Sequence, residues 1–307
     1  SGIQGLLLSD NPYNLDHLGL RVGTTGIQLQ VIVTQLDSRP DSTGASASRY
    51  MVQHRLYLRP HGRWTAALWE GSVWGGAGRQ LEPWYLNALN LGWIVQGYAG
   101  VGNANNLLGL DWERRGAVTT FGQLMLDDIQ IDHQVPADKK PTSYGLTLGA
   151  KGSVGRKALS WLAFYTQVAN LTYRNEDSVD VPLFHLLGTG RNFADYDQAT
   201  AKLGILAHEG LLLEPEFTVL RQGEGDPREP HPLVPDYPAT ATLFQGVVER
   251  TVRVALGASW EWRAWSVVAN GGVHLVHNVG HLAGRNETRW VGSLGFDYRW
   301  QTEGTLP

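Results

Sequence analysis

From Arg289 to Trp300 the chain reads RWVGSLGFDYRW, a strict alternation of side-chain character carried along a whole segment. Successive side chains of a strand point to opposite faces. Trp290, Gly292, Leu294, Phe296, Tyr298 and Trp300 therefore share one face, and Val291, Ser293, Gly295, Asp297 and Arg299 share the other. One face is apolar and aromatic, the other small and charged. In a water-soluble sheet the apolar face would cover a core; in an outer-membrane barrel it would meet lipid, with polar groups toward the lumen. The period by itself leaves both open.

The same alternation recurs along the chain. Leu18 to Gln35 holds two runs broken at Gly23 to Gly26, with Ile27, Leu29, Val31 and Val33 set against Gln28 and Gln30. Asp37 to Ser48 is polar and predicts a loop. Tyr50 to Arg59 places Arg55 and Arg59 on the face opposite Val52, Leu56 and Leu58, and Trp64 to Trp74 returns across the turn Pro60-His61-Gly62. Leu107 to Glu113 and Thr119 to Asp132 form the next hairpin. In its second strand the apolar phase slips at Asp127-Asp128, as a β-bulge would make it. Tyr144 to Lys151, Leu159 to Tyr173, Ala199 to His208, Leu211 to Leu220, Leu243 to Leu256 and Ser259 to Val276 complete the set. This makes about 13 or 14 strands of the length that tilted spanning strands need.

Between the strands, connections alternate in length. Turns near 60, 115, 155, 210 and 258 are tight, whereas loops near 42, 90, 185, 230 and 282 are long, as expected if one rim faces the periplasm and the other the outside. Gln222 to Ala241 is proline-rich and predicts an exposed loop, and Pro182 to Leu187 predicts a short helix. Gly75 to Asn106 has no period of two and is rich in Gly, Asn and aromatics. It predicts a long loop with a short helix around Trp84 to Gln96, folded as a plug or binding loop.

Composition narrows the class. Charged residues make up only 18% of the 307, yet mean hydropathy is slightly negative. That combination suits strands in which every second residue is apolar. No window approaches the ~20 apolar residues of a membrane helix. With no Cys, disulfides, thiolate metal sites and cysteine nucleophiles are excluded. A net charge of −4 without a basic run argues against nucleic acid. No linker divides the chain, so residues 1–307 are read as one domain.

Charges of both signs line the face opposite the apolar one: Arg55 and Arg59, Asp111 and Glu113, Glu249 and Arg253, Glu261 and Arg263. With Asp128 and Asp132 these supply candidate lumen polar residues. A soluble sandwich would turn the same charges to solvent, but strands this long and numerous exceed typical sandwich sheets. Arg250 falls on an apolar face, where lipid tolerates it only near an interface.

The segment Glu82 to Asn87 (EPWYLN) is a candidate sugar-binding site. Trp84 and Tyr85 offer flat apolar faces to sugar C–H groups, while Arg79, Glu82 and Asn87 offer hydrogen bonds; the same aromatics would equally pack the loop into the lumen. Asp111, Glu113, Asp127, Asp128 and Asp132 are oxygen donors of the kind Ca²⁺ takes, but lumen carboxylates more often pair with arginines, and no metal is assigned. His274 and His277 would point to opposite faces of a strand. No Gly-x-Ser-x-Gly elbow, His-Glu-x-x-His or phosphate loop is present, so neither catalysis nor a cofactor is expected.

Two resemblances add to this. Ser293, Gly295, Tyr298 and Trp300 have the spacing of the C-terminal insertion signal of bacterial outer-membrane barrels, here followed by Gln301 to Pro307. The order of His54-Arg55-Leu56 with Arg59-Pro60, Glu82 to Asn87, Asn105 to Asp111, Gly122-Gln123-Leu124 with Asp127 to Asp132, Pro215-Glu216, and Arg221 to Gly225 (RQGEG) resembles the Wzi-like capsule-assembly outer-membrane barrels. That resemblance implies an all-β, antiparallel transmembrane barrel of 18 strands in the bacterial outer membrane. It also implies a non-enzymatic role in attaching capsular or exopolysaccharide at the cell surface, with surface polysaccharide and outer-membrane lipids, lipopolysaccharide included, as partners of a monomer. The smaller strand count here is ascribed to an N-terminal part of the family's domain that the chain does not contain. A diffusion or uptake pore and a lipid-active barrel hydrolase are the alternatives.

Overall fold

In a computed structural model, which describes residues 5–9, 14–59, 62–90, 92, 103–129, 135–155 and 159–300, the strands join in chain order. They are β1 (His17–Gly23), β2 (Ile27–Pro40), β3 (Ser46–Leu58), β4 (Trp64–Gly76), β5 (Asn105–Arg114), β6 (Val118–Asp128), β7 (Ser143–Val154) and β8 (Leu159–Val168). A small hairpin, β9 (Leu183–Phe184) and β10 (Leu187–Gly188), precedes β11 (Tyr196–His208), β12 (Leu211–Gln222), β13 (Glu249–Trp262), β14 (Trp265–His277) and β15 (Asn286–Tyr298). Leaving out the small hairpin, thirteen strands form one antiparallel meander, β1 to β8 and then β11 to β15, each paired with its neighbours in sequence. Among the described residues β1 and β15 are each paired on one side only. Among the described residues no helix is long and apolar enough to cross a membrane.

The registers sort the side chains into two faces. One carries the rows Val22–Leu29–Leu56–Leu68–Leu110–Leu124–Leu146 and Phe217–Val254–Val273–Trp290, joined strand to strand. Much of it is bare: Leu68, Phe217, Val254, Leu294 and Phe296 are about half exposed or more. We call this the outer face. The inner face carries Gln30, Arg55, Trp69, Gln123 and Thr147, and two segments pack on it. Residues 5–9 and 169–195 bury Leu6, Leu7, Tyr173 and Ala194 in one cluster with Met51, Trp69, Val73, Leu107, Met125, Val168 and Tyr196. Residues 5–9 are tied there by backbone and side-chain hydrogen bonds: Leu6 N–H to Gln123 Oε1 at 3.1 Å, Thr189 Oγ1 to the Leu7 carbonyl at 2.9 Å, and the Tyr173 hydroxyl to the Leu6 carbonyl.

Buried Arg49 of β3 holds the second segment. Its Nε donates to the Val179 carbonyl at 2.6 Å, Nη1 to that of Leu183 at 3.1 Å, and Nη2 to that of Val181, while Asp37 Oδ1 lies 3.3 Å from Nη1. Beside it Asp180 accepts the Gly75 N–H at 2.8 Å, and burial pushes its carboxyl up to about 7.

Several expectations are corrected. Residues 37–48 are not a loop. β2 runs to Pro40 and β3 starts at Ser46, and only 41–45 turn, closed by Asp41 Oδ1 accepting from Thr43 N–H at 2.8 Å and Ala45 N–H at 3.0 Å. Polar residues are tolerated in strands that outrun the apolar band. Residues 182–187 form the small hairpin instead of a helix, because His185 and Leu186 both take positive φ (47° and 65°). The tight turn expected near 258 lies at 263–264. β13 runs straight through Gly257, and the break falls upstream, where Phe244 and Gly246 are left-handed (φ 64° and 66°). Strand β8 ends at Val168, short of Tyr173. The slip expected at Asp127-Asp128 is present, between Leu126 and Asp128.

Candidate functional site

The inner face is packed near the long connections and open near the tight turns. At that open end lies a cavity of about 580 Å³ lined by Arg55, Tyr57, Arg59, Asp111, Glu113 and Phe121, among others. Register explains the convergence. Tyr57, Ala67, Asp111 and Gln123 are successive partners across β3, β4, β5 and β6, and Arg55, Trp69 and Gly109 form the next row of the same face. Gly109 leaves room for the Trp69 ring, since a Cβ there would fall 2.0 Å from it.

Hydrogen bonds fix some of these groups and leave others free. Asp111 accepts from Arg55 Nη2 and, at 2.9 Å, from Trp69 Nε1. The Arg55 guanidinium sits over the Tyr57 ring at 4.8 Å, and the Tyr57 hydroxyl donates to Gln30 Oε1 at 3.1 Å. Glu113 pairs with Arg115 at 2.6 Å and lies 3.9 Å from Lys151 Nζ. Arg59 and Arg63 are exposed at the rim and have no acidic partner among the described residues. With Arg21 also over the Tyr57 ring, 5.6 Å from its centroid, cations outnumber the two carboxylates. The basin thus offers aromatic faces, fixed acceptors and unneutralised guanidinium donors, a set suited to a saccharide bearing negative charge.

Of the expected lumen polar residues, Arg55, Arg59, Asp111 and Glu113 are brought together here. Asp128 is not: it lies at the opposite end of β6, paired with Lys140 at 2.7 Å. Asp132 falls outside the described residues. The carboxylates weighed as a cation site are thereby separated, and among the described residues no group of three or more His, Asp or Glu converges. His274 and His277 occupy opposite faces of β14, opposite Arg289 and Asn286 of β15.

The segment expected to occlude the lumen takes another place, as far as its described residues 77–90, 92 and 103–104 show. Trp74 shares the outer face with Leu68, six positions earlier in an unbroken register, and Tyr85 stacks on Trp74 (ring centroids 4.6 Å apart, 23° between planes). Tyr85, Trp74, Val52 and Ala104 form a buried cluster with Val31, Val33 and Tyr50, all on the outer side. The loop straps the wall because the outer face here carries polar groups that need cover: His54 and Glu70, 3.6 Å apart and nearly buried, with Ser72 donating to Asn106 Oδ1 at 2.5 Å. Among the described residues a short helix spans Pro83–Leu86 and Gly92 is again helical; 91 and 93–96 fall outside the described residues. Arg79 and Glu82 are paired at 2.8 Å, and Arg79 also donates to the Asn103 carbonyl at 2.6 Å; both hold the strap. Burial raises the Tyr85 hydroxyl to about 12. Trp84 (50% exposed) and Asn87 are the members of that set whose side chains face solvent, although Asn87 Oδ1 also accepts the Leu89 N–H at 3.1 Å.

Residues missed by the spacing argument are Tyr57, Arg63, Arg115 and Phe121. Their signal was available: arginines flank the tight turns at 59–63 and 114–115, and turns on one rim gather what they carry. The RQGEG motif also finds its place. Gly223 and Gly225 pass so close to Asp195 that a Cβ would fall 2.0 and 2.7 Å from its atoms. Asp195 accepts N–H groups of Gly225 at 3.1 Å, Gln245 at 2.9 Å and Phe244, fastening the long 223–248 loop. Neither a protein-family model nor a curated protein matches the chain.

Proposed function

We propose that this chain is a non-enzymatic outer-membrane barrel of the Wzi-like kind that holds exported acidic polysaccharide, gripping an anionic saccharide segment in the inner basin. The observation that carries the proposal is the segregation of the two faces. Rows of Leu, Val, Phe and Trp cross the outer face, with Val22, Leu68, Phe217, Val254 and Trp290 exposed where lipid would cover them, while Arg59 and Arg63, without an acidic partner among the described residues, sit at the inner basin. Aromatic residues support the same placement: Trp64, Trp260, Trp262, Trp265 and Tyr298 lie exposed beside the tight turns, where one membrane interface would run. The packing of 5–9 and 169–195 against the inner face favours a closed lumen over a diffusion pore.

The test is binding by the full chain, folded in detergent or lipid, of a uronate-containing capsular polysaccharide with neutral dextran as control. Saturable, salt-sensitive binding of the acidic polymer, weakened roughly tenfold or more by Arg59→Gln with Arg63→Gln, supports the basin. Equal binding of dextran, or no effect of the pair, overturns it. Weakening by Trp84→Ala instead would move the site to the strap.

A further inference from the structure

Among the apolar rows of the outer face one polar row stands out. At the long-loop rim Asp197, Arg221, Arg250 and His277 are successive partners across β11, β12, β13 and β14, so all four side chains lie on the outer side. Asp197 is spent on two neighbours: it accepts from Arg221 Nε at 2.9 Å and again from Arg221 Nη2, and from the Tyr165 hydroxyl at 3.1 Å. Phe244 takes the face of the Arg221 guanidinium, 4.7 Å from its ring centroid. Arg250, directly opposite Arg221, is exposed and has no acidic partner among the described residues; His277 on its other side is turned to Asn286, 3.2 Å from its Oδ1. Like charges opposite one another on neighbouring strands repel, and an unpaired guanidinium beside hydrocarbon is costly unless an anion meets it. An open cavity of about 360 Å³ lies between Tyr165, Asp197, Ala199, Val219, Arg221 and Arg250. Immediately below run the apolar rows Val219–Val252–Leu275 and Phe217–Val254–Val273, with Phe217, Val254 and Leu275 exposed.

A cationic pair above an apolar wall matches an anionic headgroup above acyl chains. We propose that Arg221 and Arg250 bind the phosphate of an outer-leaflet lipid whose acyl chains lie along the wall beneath. Asp197 and Tyr165 position Arg221, and Arg250 supplies the unneutralised charge. This rests on the barrel reading, and the experiment separates the two.

The full chain is reconstituted into phosphatidylcholine bilayers containing bisphosphorylated lipid A or its dephosphorylated form, and co-purifying lipid is counted by native mass spectrometry. The expected result is selective retention of the phosphorylated lipid, reduced roughly tenfold or more in Arg250→Gln, which replaces a side chain with no hydrogen bond or ion pair to another described residue. Arg221→Gln should lose it too, and Arg250→Lys should keep part of it, since the charge remains but the fork is lost. Equal retention of both lipids, or an unchanged Arg250→Gln, overturns the site while leaving the barrel standing. Displacement of the lipid by inorganic phosphate alone would overturn the lipid assignment in favour of a free-phosphate site. Failure of the wild-type chain to enter bilayers would refute both.

Discussion

Replacing Arg49 with Gln should free the 177–184 segment from the inner face without unravelling the sheet. The guanidinium is fully buried and donates to the carbonyls of Val179, Val181 and Leu183, so one side chain satisfies three acceptors of a segment that is otherwise short of regular pairing. A shorter, neutral amide reaches one of them at most. The Val181 carbonyl keeps the Leu183 N–H at 2.8 Å, so one or two carbonyls are left without a donor, at about 1–3 kcal/mol each, or roughly 1–6 kcal/mol in all. The loss falls on local opening, because β3 keeps its ladder to β2 and β4. At about 1.4 kcal/mol per tenfold, 3 kcal/mol raises the open population roughly a hundredfold. Limited proteolysis of the detergent-folded protein, read by the cleavage site, measures this directly. Arg49→Gln should be cut within 174–194 far faster than wild type while the sheet's thermal transition moves little. Arg49→Lys should fall between, since an ammonium cannot span three carbonyls. Cleavage at the wild-type rate in Arg49→Gln would refute the claim that Arg49 holds the segment.

Further expectations follow from the same contacts. Asp180 titrates near 7 in the fold against an ordinary 3.8, so the native state holds the extra proton between those values. Its contribution is therefore most favourable below about pH 4, declines as pH rises toward 7 and levels off above, a swing of at most about 4 kcal/mol. Asp180→Asn, which keeps the acceptor for the Gly75 N–H, should flatten that slope in proteolysis between pH 5 and 8. Asp195→Ala removes the acceptor of three backbone N–H groups and should expose the 223–248 loop to protease at a cost of roughly 2–5 kcal/mol. Gly190→Ala puts a Cβ 2.0 Å from the Leu6 carbonyl oxygen and should dislodge residues 5–9, with a drop of about 1–3 kcal/mol in chemical denaturation. Tyr85→Ala should destabilise by about 3–5 kcal/mol, whereas Trp84→Ala, at an exposed ring, should stay within about 0.5 kcal/mol.

Strand existence and facing were legible because a period of two needs only local information: β15, β12 and the hairpin of β3 with β4 lie where the alternation puts them. Boundaries failed where polar side chains lie on strands beyond the apolar band, as at 37–40, or where left-handed residues shift a turn, as at Phe244 and Arg263. Half of the basin was legible, since Arg55, Arg59, Asp111 and Glu113 alternate with apolar residues. Tyr57 and Phe121 were not singled out, because an aromatic on the polar face reads like any other. The strap misled for a long-range reason: Tyr85 is free to pack into the lumen by its own sequence, but it stacks on Trp74, whose register opposite Tyr50 sets it on the outer side. Nothing local announces that 5–9 and 169–195 meet on the inner face, as their contacts are more than 160 residues apart in sequence.

The central claim, that the outer face lies in lipid and the inner face in a watery lumen, is best tested on β13. The chain has no cysteine, so single substitutions Val252→Cys, Arg253→Cys, Val254→Cys, Ala255→Cys and Leu256→Cys each give one site for a spin label. In lipid bilayers, labels at 252, 254 and 256 should be open to oxygen and shielded from an aqueous nickel complex, with 253 and 255 the reverse. Nickel accessibility on both faces, or a protein that stays monodisperse in water without detergent, would contradict the barrel.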